Sequence, residues 1–208
     1  MNMLKVSLNE IYSETYKALR SVGIDWALAK DCANLSKWLA QHDQYFLGSI
    51  LKTADLYKKK YISISVKENN IKKPLSGALM GLLLVEYVSA KNITWKGYLN
   101  NPKFIFASMS LIAIEQNISL VLKNSNKETI ACSNKKNLYL DTNNFNNSTD
   151  YFYLEPYNFK QVYNSLKLVI NQKSEVSIVN TKCWERLKSM AFETYVPESE
   201  TSKSRAGY

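Results

Sequence analysis

Along residues 1–60 the apolar positions recur at the three- and four-residue spacing of helices that bury one face. Ser7-Leu8-Asn9-Glu10 has the S-x-x-E form of a capping box, in which two side chains satisfy each other's free backbone N–H groups at a helix start. Leu8, Ile11, Tyr12, Thr15 and Leu19 follow on one face, and Gly23 stands where a helix end favours glycine. Asp25 caps a second helix whose seam is Leu28, Cys32, Leu35 and Leu39, flanked by Trp26 and Trp38. The two should form a short-looped hairpin. A third helix is predicted from about Asp43 to the lysines at 58–60, with Phe46, Ile50, Ala54 and Tyr57 inward and the lysines at the negative end of its dipole.

Beyond this bundle the pattern diversifies. "YISISV" at 61–66 alternates and is β-branched, which predicts a short strand. Pro74 and Pro102 each open a helix that is apolar on most faces, "PLSGALMGLLLVEYVSAK" and "PKFIFASMSLIAIEQN", so both belong in the middle of the molecule. In the first of them Gly77 and Gly81 form a pair of small residues that permits close approach of another backbone. From Ile118 the period falls to two: "ISLVLKN", "ETIACS" and "KNLYLD" read as an antiparallel meander. Residues 141–150 read as a polar loop, 157–172 as a helix, "EVSIV" as a strand and "TKCWERLKSMAFETY" as a final helix with Trp184, Leu187 and Ala191 inward. The fold class is therefore α+β (mixed): an N-terminal helical hairpin or bundle, central apolar helices, a small mostly antiparallel sheet, and a C-terminal helix with an ordered tail. Residues 1–60 form the helical segment and 61–208 the mixed one, together making one compact domain.

Composition narrows the function classes. With 46% hydrophobic and 22% charged residues the 208-residue chain can bury a sizeable core. The net charge of +9 raises nucleic acid as a partner, but of the 27 basic residues only Arg20, Arg186 and Arg205 are arginine. Lysine does not replace the planar guanidinium in reading phosphates and base edges, so the charge reads as solvated surface and argues against nucleic acid. No apolar h-region opens the chain, which points to the cytoplasm, and the most apolar stretch is broken by Glu86 and falls short of the roughly 20 residues that span a bilayer. No membrane span is expected.

Few residues carry recognisable chemistry. Cys32, Cys132 and Cys183 lie far apart with no CxxC or Cys/His spacing, so no metal site is expected, and no glycine-rich loop suggests a cofactor. His42, the single histidine, precedes Asp43; it is either a base oriented by that carboxylate or a helix-end partner of free carbonyls. Glu86 and Glu115 interrupt apolar helices, where a carboxylate is either a base of raised pKa or a plain exposed or lysine-paired group.

The two ends of the chain, "VSLNEIYSETYKALRSVGIDWALAKDCANLSKWL" and "WERLKSMAFETYVPESETSKSRAG", are similar to an uncharacterised bacterial domain-of-unknown-function family. That family opens with V-S-L-N-E-I, continues with G-x-x-W-G-x-A-E, and closes with T-Y-V-P-x-[ST]-E-x-S-R before a glycine–alanine run. Ser7 to Ile11, Trp26 and Ala29 fit, whereas Ala27 and Lys30 replace a glycine and a glutamate. At the close Thr194, Tyr195, Val196, Pro197, Ser199, Glu200 and Ser202 fit, Lys203 stands at the arginine position, and only Ala206 and Gly207 remain of the final run. The resemblance brings no activity, but it implies that the tail is more than a polar end. Tyr195 would anchor it on the core, and Pro197 would stop the last helix and extend the chain.

Two polar motifs at opposite ends motivate the functional expectation: a cytoplasmic enzyme or enzyme subunit that binds a small acidic metabolite between the C-terminal tail and the N-terminal helices. Glu10 and Glu200 are the candidate catalytic carboxylates; Tyr195, Ser199, Ser202 and Lys203, with Arg205 as an alternative cation, are the candidate ligand-binding residues. The rival expectation is a non-catalytic accessory or assembly protein that binds another protein. Oligomeric state is left open by both.

Overall fold

The computed structural model describes residues 2–43, 45–67, 69–134, 137–141, 149–157, 166–169 and 174–194. Strand β1 (Met3–Ser7) leads into helix α1 (Leu8–Ser21), and the predicted capping box is present: Ser7 Oγ accepts from Glu10 N at 3.2 Å while Glu10 Oε2 accepts from Ser7 N at 3.1 Å. Gly23, at φ +84°, donates its N–H to Arg20 O and completes the helix end. Asp25 starts α2 (Trp26–His42) by accepting from Ala27 N, and α3 (Phe46–Lys58) follows. Cys32, Leu35 and Leu39 are buried as their spacing predicted, whereas Leu28 is only half-buried and Trp26 is exposed.

The two central helices are α4 (Gly77–Lys91) and α5 (Lys103–Gln116). They pack against each other and are covered by α2 on one side and by a sheet on the other. α4 begins later than Pro74 suggests, because Leu75–Ser76 is taken as strand β2 and Ser76 Oγ caps the helix at Leu79 N. The seven-stranded sheet has the order β2-β3-β7-β4-β5-β6-β8 and contains β3 (Trp95–Asn100), β4 (Ser119–Lys123), β5 (Thr129–Asn134), β6 (Asn137–Leu140), β7 (Asp150–Pro156) and β8 (Lys167–Val169). Only β2 and β3 run parallel; every other neighbouring pair is antiparallel. This is an α+β fold.

The far end of the chain returns to the beginning. Strand β9 (Val176–Asn180) pairs with β1, from Met3↔Asn180 to Ser7↔Val176, and α6 (Thr181–Phe192) packs on α1. Trp184, Leu187 and Ala191 of α6 are buried, and Arg186 forms a two-pronged ion pair with Asp55 of α3, both Oδ distances 2.8 Å. Buried side chains from α1 to α6 and from the sheet join in a contiguous apolar cluster.

Three expectations change. "YISISV" forms no strand; only Ser63 bridges to Leu75, because the Ser63 hydroxyl binds Ser65 N and the Ser65 carbonyl and bends the segment away from a ladder. Within 157–172, Lys167–Val169 is strand rather than helix: it pairs with the open edge of β6, Leu138↔Val169 through Leu140↔Lys167, and that backbone pairing overrides the helical period. Residues 158–165 and 170–173 lie outside the described residues. Asp150, placed in a loop by its polar neighbours, instead begins β7, which sits between β3 and β4; most of the expected loop, 142–148, also falls outside the described residues.

The Ser7 and Glu10 box gives a first prediction. Ser7→Ala removes the N-cap and lowers stability by about 1 kcal/mol in chemical denaturation. The Ser7 backbone N–H first, then its hydroxyl, with Lys188 contributing least, hold the Glu10 carboxyl below its usual range. The unfolded chain then binds more protons, so the contribution is present above the ordinary glutamate value and is lost as pH falls through the lowered one. Melting curves of Glu10→Ala and the parent are expected to differ at neutral pH and to converge in acid.

Candidate functional site

The helix packing opens a groove of about 500 Å³ where α1, α2, α4 and α5 meet. Its α2 wall is one helical face: Asn34, Lys37, Trp38 and Gln41 stand at i, i+3, i+4 and i+7. Across from it α4 contributes Leu82 and Glu86 one turn apart, and α5 contributes Leu111, Ile112 and Glu115. Leu8 of α1 closes one end. The floor is apolar and the rim is polar, with two carboxylates against one ammonium. Lys37 Nζ reaches Asn9 Oδ1 at 3.4 Å, and Gln41 Nε2 donates to the Ser174 carbonyl at 2.9 Å, so both ends of the chain frame the rim.

Trp38 lines this groove with only 6% of its surface exposed. The His42 ring stacks on its indole, with centroids 4.1 Å apart and planes 18° from parallel. His42 Nδ1 lies 2.8 Å from the Trp38 carbonyl, which can only accept, so Nδ1 carries a proton. This is the helix-end role for His42. Trp38 Nε1 and His42 Nε2 are both buried, and neither has a hydrogen-bond partner among the described residues. A buried donor left unpaired costs about 1–3 kcal/mol.

Glu86 and Glu115, each read as an oddity on an apolar helix, are exposed and share this groove. Glu10 lies elsewhere, committed to the capping box, where its lowered pKa makes it a weaker base than a free glutamate. The remaining site candidates, Tyr195, Ser199, Glu200, Ser202 and Lys203, lie outside the described residues, as does Arg205. A second groove of about 430 Å³ is formed by Tyr16, Lys17, Arg20 and Ser21 of α1 with Glu193 and Thr194, the last described residues. Two cations lie there, although Lys17 pairs with Glu14 at 3.0 Å and Arg20 Nη1 donates to the Ile24 carbonyl at 2.5 Å.

Sequence reading missed Asn34, Lys37 and Gln41 altogether. Their signal is a polar row running beside the Cys32, Leu35 and Leu39 seam, bracketing an aromatic that looked like simple core. It also passed over Lys103, which is 1% exposed and bonds Asp43 Oδ2 at 2.5 Å, while Asp43 Oδ1 accepts from Tyr45 N. Burial lowers the Lys103 pKa, opposed by the Asp43 hydrogen bond and charge. Nearby in sequence, Asn101 at φ +54° donates to Thr53 Oγ1 and the Ser49 carbonyl, at 2.9 and 3.3 Å. These groups pin the start of α5 to the corner between α2 and α3, and Lys103 lines neither of the two grooves above.

Two buried thiols, Cys32 and Cys132, are inert. Burial pushes Cys32 up to about 12 and Cys132 up to about 11, far from a thiolate at neutral pH. Among the described residues no cluster of three or more His, Cys, Asp or Glu could hold a metal ion, and no helix is long and apolar enough to cross a membrane. No family model, curated protein or solved structure matches the chain.

Proposed function

We propose that this chain binds a small molecule in the groove between α2 and the α4–α5 pair, as an enzyme or an enzyme subunit. The observation that carries the reading is Trp38, whose buried indole N–H has no partner among the described residues and whose side chain helps line a groove of aliphatic and charged residues. The groove's volume falls in the range of about 300–1,000 Å³ usual for small-molecule sites, which combine an apolar lining with a few polar groups. No cysteine lines the groove and His42 is tied to its own helix, so any proton transfer in the groove falls to Glu86 and Glu115. Binding of an acid between the tail and the N-terminal helices, the arrangement expected from sequence, is a separate proposal, for which the cations Lys17 and Arg20 of the second groove are the support.

A thermal-shift screen of metabolites against the parent and Asn34→Trp tests the reading. Asn34 is exposed on the groove rim, so the larger side chain fills the groove without disturbing the core. A ligand at 100 times its Kd stabilises the native state by about 2.7 kcal/mol. The expected result is a compound that raises the melting temperature of the parent and not of Asn34→Trp; equal shifts in both reject the groove.

A second reading has its own support. On α4, one turn apart, Leu83 and Tyr87 are 43% and 44% exposed beside Glu86, an apolar step suited to another protein in the accessory role. A stoichiometric partner whose binding is lost in Leu83→Asp/Tyr87→Asp, with no small-molecule stabilisation, would favour it.

A further inference from the structure

We infer that the ligand of the α2–α4–α5 groove is an amine with an apolar body and a carboxylate, the chemistry of an apolar amino acid. This rests on the groove being a ligand site, and it specifies what that site selects. Glu86 and Glu115 approach from two different helices and give the rim an excess of negative charge, which attracts an ammonium group and repels a plain acid. Leu82, Leu111 and Ile112 offer aliphatic surface to the ligand body. Lys37 is the cation of the α2 wall, and the buried indole N–H of Trp38 is a donor without a hydrogen-bond partner among the described residues. Together they accommodate a carboxylate at the α2 side while the ammonium lies toward α4 and α5.

Trp38 distinguishes this groove from a mere acidic patch. Its indole is more than nine-tenths buried and is held by the stacked His42 ring, which is itself fixed through Nδ1 to the Trp38 carbonyl. The donor is therefore preorganised rather than mobile. An acceptor that reaches it supplies a hydrogen bond the free protein does not make, whereas an apolar group at the same place leaves the donor unpaired.

Leucine, isoamylamine and isocaproate test the inference, since the last two are leucine without its carboxylate and without its amine. Each is titrated into nitrogen-15-labelled full-length protein, following the Trp38 indole N–H resonance. That signal is assigned by Trp38→Phe, or by elimination with Trp26→Phe, Trp95→Phe and Trp184→Phe should Trp38→Phe not fold. Leucine is expected to shift the Trp38 signal saturably and isocaproate to bind about tenfold or more weakly, the scale of a lost charge-assisted hydrogen bond. Glu86→Gln/Glu115→Gln should weaken leucine by a similar factor. If isocaproate binds as well as leucine, or the double variant binds leucine unchanged, the ligand class is wrong while the groove remains a site. If none of the three moves the Trp38 signal but other compounds stabilise the parent and not Asn34→Trp, the class again falls alone. If no compound does either, the class and the groove reading fall together.

Discussion

Replacing Asp43 with alanine is expected to cost about 3–5 kcal/mol, the scale for leaving a buried charge without its partner. Lys103 is the first residue of α5, 1% exposed, with Asp43 Oδ2 the acceptor of its ammonium. Without that carboxylate, burial alone acts on the lysine and drives its pKa further down. The unfolded lysine, at about 10.4, then binds more protons than the folded one, so the variant should gain stability as pH rises from the folded value toward the unfolded value. Removing both charges in Asp43→Ala/Lys103→Met should restore much of the loss, because a matched apolar replacement does not leave an unpaired ion. Urea unfolding of the parent, the single and the double variants checks this; a single-variant loss under about 1 kcal/mol would mean that Lys103 reaches water.

The second large effect is at Gly77, where α4 starts against the turn that leads into α5. A Cβ at this position would lie 2.6 Å from the Asn101 carbonyl oxygen and 2.8 Å from that of Asn100. Both obstacles are backbone, and Asn101 is held by its bonds to Thr53 and Ser49, so the clash is relieved only by moving α4 away from α5. Gly77→Ala should therefore destabilise by the 1–3 kcal/mol of an overpacked core or more. Gly81 is more forgiving, since its nearest obstacle, at 2.6 Å, is the Ser108 hydroxyl. Gly48 provides the opposite control. It is exposed within α3, a Cβ there meets nothing within 4 Å, and Gly48→Ala should stabilise by about 0.5–1 kcal/mol. Melting curves of the two alanine variants should move in opposite directions.

The capping box, the Gly23 helix end, the α6 face and the close-approach glycines of α4 were legible because each is a local rule satisfied by neighbouring residues. The meander of β4, β5 and β6 was legible from its period of two. The central strands β3 and β7 were not read, although Phe152 and Leu154 alternate with Tyr151 and Tyr153. Polar residues before β7 read as loop, and the pairing that fixes both strands, such as Tyr98 opposite Tyr151, joins segments far apart in sequence. The groove was half legible for the same reason. Glu86 and Glu115 stood out as charges on apolar helices, but only the packing of α2 across α4 and α5 brings them to the side of Trp38. The polar row of Asn34, Lys37 and Gln41 is, taken locally, that of any helix face beside an apolar seam. The buried Lys103 was illegible because lysine is ordinarily read as surface, and its partner lies across the α2–α3 corner.

The central claim is that the groove walled by Trp38, Glu86 and Glu115 holds a small molecule. A crystal structure of the full chain with the compound that most raises its melting temperature tests it most directly. The account predicts that compound within hydrogen-bond reach of Trp38 Nε1 and of a glutamate on the groove rim. The same compound seated between Lys17, Arg20 and Thr194, or on the open face of α4, with the Trp38 groove empty, would contradict it.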